Sequence, residues 1–154
     1  MDFRSLMPLG RGDFTSLRRE MDRLFERITV SLDGADAGTY AAIRGLDAFD
    51  KVCEGIRAAA VRGTAPGLRV TLQRANFRQL PNLVTLARTL GARSISFLTV
   101  DVANAHAFAR SGEVAGGLAL PPGELDEFER LIGQLERDHA ADFHAGFIEE
   151  SPAK

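Results

Sequence analysis

Polar side chains follow two strand-like runs of the sequence and could hydrogen-bond a small ligand. Ser31 and Asp33 come at the end of the run 28–32, and Gln73 and Asn76 follow the run 68–72. Hydroxyl, carboxylate and amide groups can together donate and accept several hydrogen bonds. The same residue types also form turns in which side chains satisfy nearby backbone amides. From the residues alone the turn is the favoured interpretation of these groups, and ligand binding is the alternative.

No catalytic set accompanies these polar groups in the sequence. His106 is isolated, and the chain contains neither a Ser-His-Asp arrangement nor a glycine-rich phosphate loop. His139 and His144 are five positions apart, which places them on different faces of a helix, unlike the i, i+4 pair typical of a metal site. Cys53, the single cysteine, cannot form an internal disulfide and is predicted to be a small buried hydrophobic residue. We therefore predict no catalytic residue and no metal ligand.

Length and composition indicate one ordinary soluble domain. The chain has 154 residues, of which 45% are hydrophobic and 26% are charged, and its net charge is -2. That balance provides no overall cationic field for nucleic acid. No apolar run approaches the roughly 20 residues of a membrane span, and residues 1–14 lack the apolar core of a signal peptide. We expect a cytoplasmic protein that binds neither nucleic acid nor membrane.

The charges are distributed unevenly along the chain. Residues 57–93 include seven arginines and no acidic residue, whereas residues 113–150 include ten acidic residues against two arginines. Two complementary halves that contact each other would explain this pattern, and this is the favoured interpretation. An anionic ligand or partner on the basic half is the alternative.

The polar groups would be positioned by alternating strands and helices. Three runs rich in β-branched residues are predicted strands, at 28–32, 68–72 and 94–100. Helical spacing of apolar residues predicts helices at 17–28, 49–60, 80–90 and 125–135. Asp47 could cap the second helix, and Gly63 and Gly91 are suited to end the second and third in a left-handed conformation. Strand-helix-strand repeats at this spacing predict parallel pairing.

The predicted fold class is therefore α/β, a sheet of about three parallel strands with flanking helices. In such sheets ligands collect at the carboxyl ends of the strands, which is where the polar groups lie. Both edges of a three-stranded sheet would have unpaired backbone groups. The chain after Asp142 is expected to be weakly ordered.

Residues 28–110 resemble the middle of a radical SAM enzyme core of the type followed by a SPASM domain. The stretches that carry the resemblance are ITVSLDGADAGTYAAIRG, FDKVCEGIRAA, LRVTLQRANFRQLPNLVTLARTLGA and ISFLTV. Residues 111–154 look like the helix and linker that lead toward the auxiliary cluster domain. The resemblance implies that the fold is a fragment of a (β/α) barrel.

The resemblance also implies a cofactor and contacts to it. Enzymes of this family bind a [4Fe–4S] cluster and S-adenosylmethionine, and cleave the latter reductively to a 5′-deoxyadenosyl radical. The resemblance implies that Ser31 contacts the methionine moiety of S-adenosylmethionine and that Asp33 lies near the substrate. Arg44 would pair with a carboxylate, Gln73 and Asn76 would bond ribose or substrate, and Leu98 would pack near the adenine.

The sequence departs from the family where the cluster is bound. It contains no CxxxCxxC loop, and one thiolate cannot hold a cubane that takes three or four. We therefore expect a radical SAM family chain that is not active alone. The alternative is a non-catalytic binding or self-associating module, either a homodimer or a fragment that completes a barrel half on another chain.

The stretch before the first strand resembles a different family. MDFRSLMPLGRGD followed by SLRREMDRLFERI is similar to the N-terminal arm of small heat-shock proteins. The expected organisation is thus an arm with an amphipathic helix at 1–27, a partial core at 28–110, and a C-terminal helix and linker at 111–154.

Overall fold

A computed structural model describes residues 28–100 and 117–150 of the chain. The arm predicted at 1–27 lies outside these residues. The elements, in chain order, are β1 (Thr29–Ser31), α1 (Ala37–Arg44), α2 (Phe49–Val61), β2 (Gly67–Leu72), a 3₁₀ turn (Phe77–Gln79), α3 (Leu80–Thr89), β3 (Ser94–Thr99), a second 3₁₀ turn (Pro122–Glu124), α4 (Leu125–Asp138) and α5 (Ala140–His144).

The three strands form one parallel sheet in the order β1-β2-β3. The register places Ser31 beside Arg69, and Arg69 beside Ser96. The chain crosses between neighbouring strands through α1 and α2, and then through α3. The predicted α/β class with three parallel strands and flanking helices is confirmed.

Helix α1 was not predicted, and local capping explains why it forms. Asp36 has an extended backbone and accepts a hydrogen bond from the Thr39 N–H at 2.8 Å. Gly45 ends the helix with φ 68°, in the left-handed region that favours glycine. The expectation that Asp47 caps α2 is wrong, because the N-cap is Ala48 and no side chain caps that end.

The core lies on one face of the sheet. Side chains of a strand alternate between faces, and the side chains of Leu68, Val70 and Leu72 belong to the buried apolar cluster. Their neighbour Ile95 on β3 belongs to it as well. The helices contribute buried residues to the same cluster: Tyr40, Cys53, Ile56, Leu83, Val84, Ala87 and Leu135.

The C-terminal segment covers the outer edge of β3. Ile95 donates its N–H to Phe147 O at 2.8 Å, and Glu149 donates its N–H to Ile95 O at 3.0 Å. Phe147 and Ile148 are buried in the core. The expected weak ordering after Asp142 is therefore wrong for the residues up to 150, and so is the expected open edge beside β3. Two apolar residues in a charged stretch were too short a signal for an edge strand.

The basic and acidic halves of the chain contact each other, as the favoured interpretation of their charges predicted. Arg74 binds Glu124 through Nε at 3.2 Å and Nη2 at 3.0 Å. Arg78 donates to Glu127, and Arg88 pairs with Asp142. These ion pairs join the turns and helix around β2 to the C-terminal helices.

None of the helices formed by the described residues is long and apolar enough to cross a membrane.

Candidate functional site

A polar row crosses the sheet on the face opposite the core. The aligned residues Ser31, Arg69 and Ser96 point to the same side because laterally paired residues of parallel strands share a face. Ser31 and Arg69 are exposed, and Ser96 is buried and donates its hydroxyl to Leu68 O at 3.3 Å. None of the three belongs to the apolar core cluster.

The next row toward the carboxyl ends contains Thr71 and Leu98. Leu98 is 49% exposed, so it adds apolar surface beside the polar row. Together with the polar row it forms a surface, here called the open face, of Ser31, Arg69, Ser96, Thr71 and Leu98. The structure therefore places two sequence-predicted site residues, Ser31 and Leu98, on one surface.

Asp33 and Arg44 pair with each other rather than standing free for a ligand. Arg44 Nε lies 3.1 Å from Asp33 Oδ2, and the Asp33 side chain is buried. Asp33 Oδ1 also accepts the Thr71 N–H at 2.7 Å. Because β1 has ended, this carboxylate takes the place of a strand carbonyl in the ladder beside β2. Arg44 thus pairs with a carboxylate of the chain itself, and its predicted contact to a cofactor or substrate stays a prediction.

The side chain of Asn76 forms hydrogen bonds with the backbone at the same strand end. Its Nδ2 donates to Asp33 O at 2.9 Å and to Thr71 O at 3.0 Å, and its Oδ1 accepts the Gln73 N–H at 2.8 Å. The residue is fully buried, and Gln73 is buried too. The side-chain bonds of Asp33 and Asn76 are those of the turn interpretation that the sequence favoured. The contacts of Asp33, Gln73 and Asn76 to cofactor or substrate stay a prediction.

Sequence reasoning missed residues that lie in this strand-end network. Gln79 accepts the Ala35 N–H at 2.9 Å and donates to Thr39 Oγ1 at 2.8 Å, joining the start of α1 to the first 3₁₀ turn. A Cβ on Gly34 would lie 2.5 Å from Tyr40 N, so glycine is required where α1 approaches the strand end. Arg69 was missed as well, although alternation along 68–72 could have placed it on the open face.

Cys53 and His139 are, respectively, buried and paired with a neighbouring side chain. Cys53 is 3% exposed, and burial raises the pKa of its thiol, which fits the predicted small buried hydrophobic residue. His139 Nδ1 lies 2.8 Å from Asp142 Oδ2, and Asp142 also pairs with Arg88. Within 28–100 and 117–150, no group of three His, Cys, Asp or Glu side chains is arranged to hold a metal ion.

Comparison with curated proteins finds partial similarity to proteins named probable GTP 3′,8-cyclase. The chain is 35% identical over 74 residues, or 47% of its length, to a probable GTP 3′,8-cyclase of Saccharolobus islandicus, and equally to one of Sulfurisphaera tokodaii. The protein of the same name in Saccharolobus solfataricus is 34% identical over 74 residues. The chain spans about a quarter of the length of these relatives, with 24% covered.

GTP 3′,8-cyclases are radical SAM enzymes, so the partial similarity is to proteins of that family. No family model matches the sequence. No solved structure matches it significantly.

Proposed function

We propose that this chain supplies the middle strands of a radical SAM core and contacts S-adenosylmethionine through the open face. The partial similarity to GTP 3′,8-cyclases supports the family of chemistry. The observation that carries the proposal is the polar row on the sheet face opposite the core. A parallel sheet normally has both faces covered, so a polar row with two exposed members, Ser31 and Arg69, is suited to face a ligand rather than a helix.

The charge and the apolar surface of the open face support S-adenosylmethionine as its ligand. Arg69 is an exposed cation in the centre of the row, and a guanidinium can bind a carboxylate through two parallel hydrogen bonds. Ser31 adds an exposed hydroxyl beside it, and Leu98 adds apolar surface for the adenine ring. Arg44 is replaced by Arg69 as the carboxylate-binding residue in this proposal, because Arg44 is occupied by Asp33.

The residues of this chain do not fit a [4Fe–4S] cluster. The sequence contains one cysteine, and that thiol is buried on α2 within the apolar core. Such a cluster takes several thiolates, whereas burial disfavours the thiolate of Cys53. We therefore propose that the chain alone does not cleave S-adenosylmethionine, and that cysteines from outside this sequence hold the cluster. The SPASM-type assignment belongs to the same proposal and rests on the resemblance of residues 111–154.

Binding of S-adenosylmethionine to the purified chain tests the open face. We expect saturable binding by equilibrium dialysis, weakened about tenfold or more in Arg69→Gln, as removal of a charged hydrogen-bond partner implies. Arg57→Gln is the matched control, because Arg57 is an exposed arginine on α2, away from the row. Equal loss in both variants, or no binding to the parent chain, would contradict the proposed surface. GTP, named in the relatives, is the second ligand for the same titration.

Anaerobic iron–sulfur reconstitution tests the proposed inactivity. We expect no stable cubane absorbance and no 5′-deoxyadenosine from the chain alone. A stable cluster together with 5′-deoxyadenosine would overturn the inactive assignment while leaving the open face in place. Addition of a separate chain that carries a CxxxCxxC loop is the complementation experiment, and restored cleavage would identify the other barrel half.

A self-associating module is the second candidate function. It is favoured by β1, which pairs with β2 alone among the described strands and is preceded by Ile28, which is 41% exposed. Unpaired strand edges are templates for pairing with another chain. Light scattering should then give a multiple of the chain mass, reduced in Ile28→Lys. Deleting residues 1–27 separates the two routes, since an unchanged mass argues against assembly through the arm.

A further inference from the structure

An apolar cavity of about 280 Å³ lies between the sheet and α4, on the core side and not on the open face. Its floor is formed by the ends of β2 and β3, at Leu72 and Phe97, and α4 forms the opposite wall. The lining residues from the helices and the C-terminal segment are Leu80, Phe128, Ile132, Leu135, Glu136, Phe143, Ile148 and Glu150. A cavity of this size matches the lower end of small-molecule sites, at roughly 300 Å³.

The charged residues that line the cavity are both acidic. Glu136 and Glu150 are the charged residues among those that line it, and the lining includes no lysine, arginine or histidine. Apolar side chains make up most of the rest. A ligand that fills such a space would match it best with a positive charge at one end and hydrocarbon at the other.

Glu150 presents one carboxylate oxygen that no described residue satisfies. Its Oε1 accepts the Phe97 N–H at 2.6 Å, which continues the ladder along the outer edge of β3. Its Oε2 is buried and has no hydrogen-bond partner in the described structure. Buried polar atoms are nearly always bonded, so an orphan oxygen at a cavity indicates a missing partner.

The charge on Glu150 is costly while that partner is missing. Burial raises the pKa of its carboxyl, and the neighbouring Glu149 acts in the same direction. The Phe97 N–H, the N–H of Glu150 itself and Arg69 act against this shift. A bound cation that donates to Oε2 would supply both the missing hydrogen bond and the opposite charge.

We propose that this cavity binds a small primary amine with an apolar body, whose ammonium donates to Glu150 Oε2 and whose hydrocarbon part packs against Phe97, Phe128 and Leu135. The site lies on the other side of the sheet from the proposed S-adenosylmethionine surface. It thus adds a second ligand class, hydrophobic ammonium compounds, to the chain.

Titration of the full chain with phenethylamine at neutral pH, followed by calorimetry and by amide NMR, tests the site. We expect saturable binding and a shift of the Phe97 amide signal, because that N–H shares the carboxylate with the ligand. Ethylbenzene has the same apolar body without the ammonium and should bind more weakly. Phenylpropionate, which has an anionic end, should not bind.

Two isosteric variants make the test specific. Glu150→Gln keeps an oxygen for the Phe97 N–H but loses the charge, so phenethylamine affinity should fall about 10- to 100-fold while ethylbenzene binding stays unchanged. Glu54→Gln is the matched control, because Glu54 is an exposed glutamate on α2 and does not line the cavity. It should leave phenethylamine affinity unchanged. No binding by the parent chain, or equal affinity in the parent and Glu150→Gln, would overturn the proposal.

Discussion

The two faces of the sheet differ in what their side chains do. On the core face, Leu68 and Val70 are buried against the helices. On the open face, Ser31 and Arg69 are exposed in the neighbouring register positions. Because strand residues alternate between faces, adjacent positions of one sequence motif are assigned to different tasks. The residues of one sequence motif therefore cannot all be assigned the same functional role.

The stretch SLDG illustrates this division within four residues. Ser31 lies on the open face, Leu32 is in the core, and Asp33 replaces a strand carbonyl beside Thr71. Gly34 allows α1 to approach. The residue types of this motif are thus explained largely by folding, with a single position left for a ligand. The predictions below test this division, beginning with the largest expected effect.

Two leucine truncations should separate the faces most clearly. Leu68→Ala removes a core side chain and is expected to lower the free energy of unfolding by about 2–5 kcal/mol, as buried leucines do. Leu98→Ala removes a half-exposed side chain of the open face and should change it by less than about 0.5 kcal/mol. Urea unfolding of both variants measures the difference. Similar losses would mean that the open face is packed as a second core.

Asn76→Ala should show that the strand end is structural. The truncation leaves Asp33 O, Thr71 O and the Gln73 N–H without their side-chain partner, and a buried unsatisfied group costs about 1–3 kcal/mol. Ser31→Ala, on the open face, should lower the free energy of unfolding by less than about 0.5 kcal/mol. Both are measured by urea unfolding. A larger loss for Ser31→Ala would reverse the proposed roles of the two residues.

The strands and long helices could be predicted from the sequence because their signals are local. Apolar spacing located α2, α3 and α4 within a few residues, and β-branched runs located the sheet. Helix α1 was missed because AGTYAAIR has little amphipathic pattern, and its stability depends on the Asp36 cap and on the Asp33–Arg44 pair. The pairing of Asp33 with Arg44 joins residues eleven positions apart across a strand end, which spacing alone does not reveal.

Which side chains share a surface could be predicted less well than the strands and helices, for the same reason. Ser31 and Leu98 lie on the same face of the sheet because β2 pairs with both of their strands in this register. Arg69 was overlooked because it sits inside a strand rather than at its end. The edge contact of Phe147 and Ile148 with Ile95 joins residues more than fifty positions apart, and no local pattern specifies it.

Two glycine substitutions should change stability in opposite directions. Gly34→Ala would place a Cβ 2.5 Å from Tyr40 N, and the forced backbone shift should cost about 1–3 kcal/mol. Gly55→Ala lies inside α2 with nothing within 4 Å of the added Cβ, so it should stabilise the chain by about 0.5–1 kcal/mol. Urea unfolding and thermal unfolding of each variant measure the change in the free energy of unfolding. Equal effects would indicate that α1 does not approach the strand end closely.

The smallest expected effect is the pH dependence of two carboxyls in the C-terminal segment, which should have opposite signs. The hydrogen bond from His139, together with Arg88, holds the pKa of Asp142 below its usual value. Between the folded and unfolded pKa values the unfolded chain therefore binds more protons, so stability rises with pH there and is lost as pH falls through the folded pKa. Asp142→Asn should flatten this acid-side slope.

Glu150 has the reverse linkage, because burial raises the pKa of its carboxyl in the folded chain. The folded chain binds more protons between the two pKa values, so stability falls as pH rises through that window. Glu150→Gln should remove this loss and make the chain relatively more stable at neutral than at acidic pH. Urea unfolding from pH 3 to pH 8, roughly spanning both carboxyl windows, measures the two slopes. Slopes of the same sign would mean that Glu150 is solvated and that the cavity beside it is open to water.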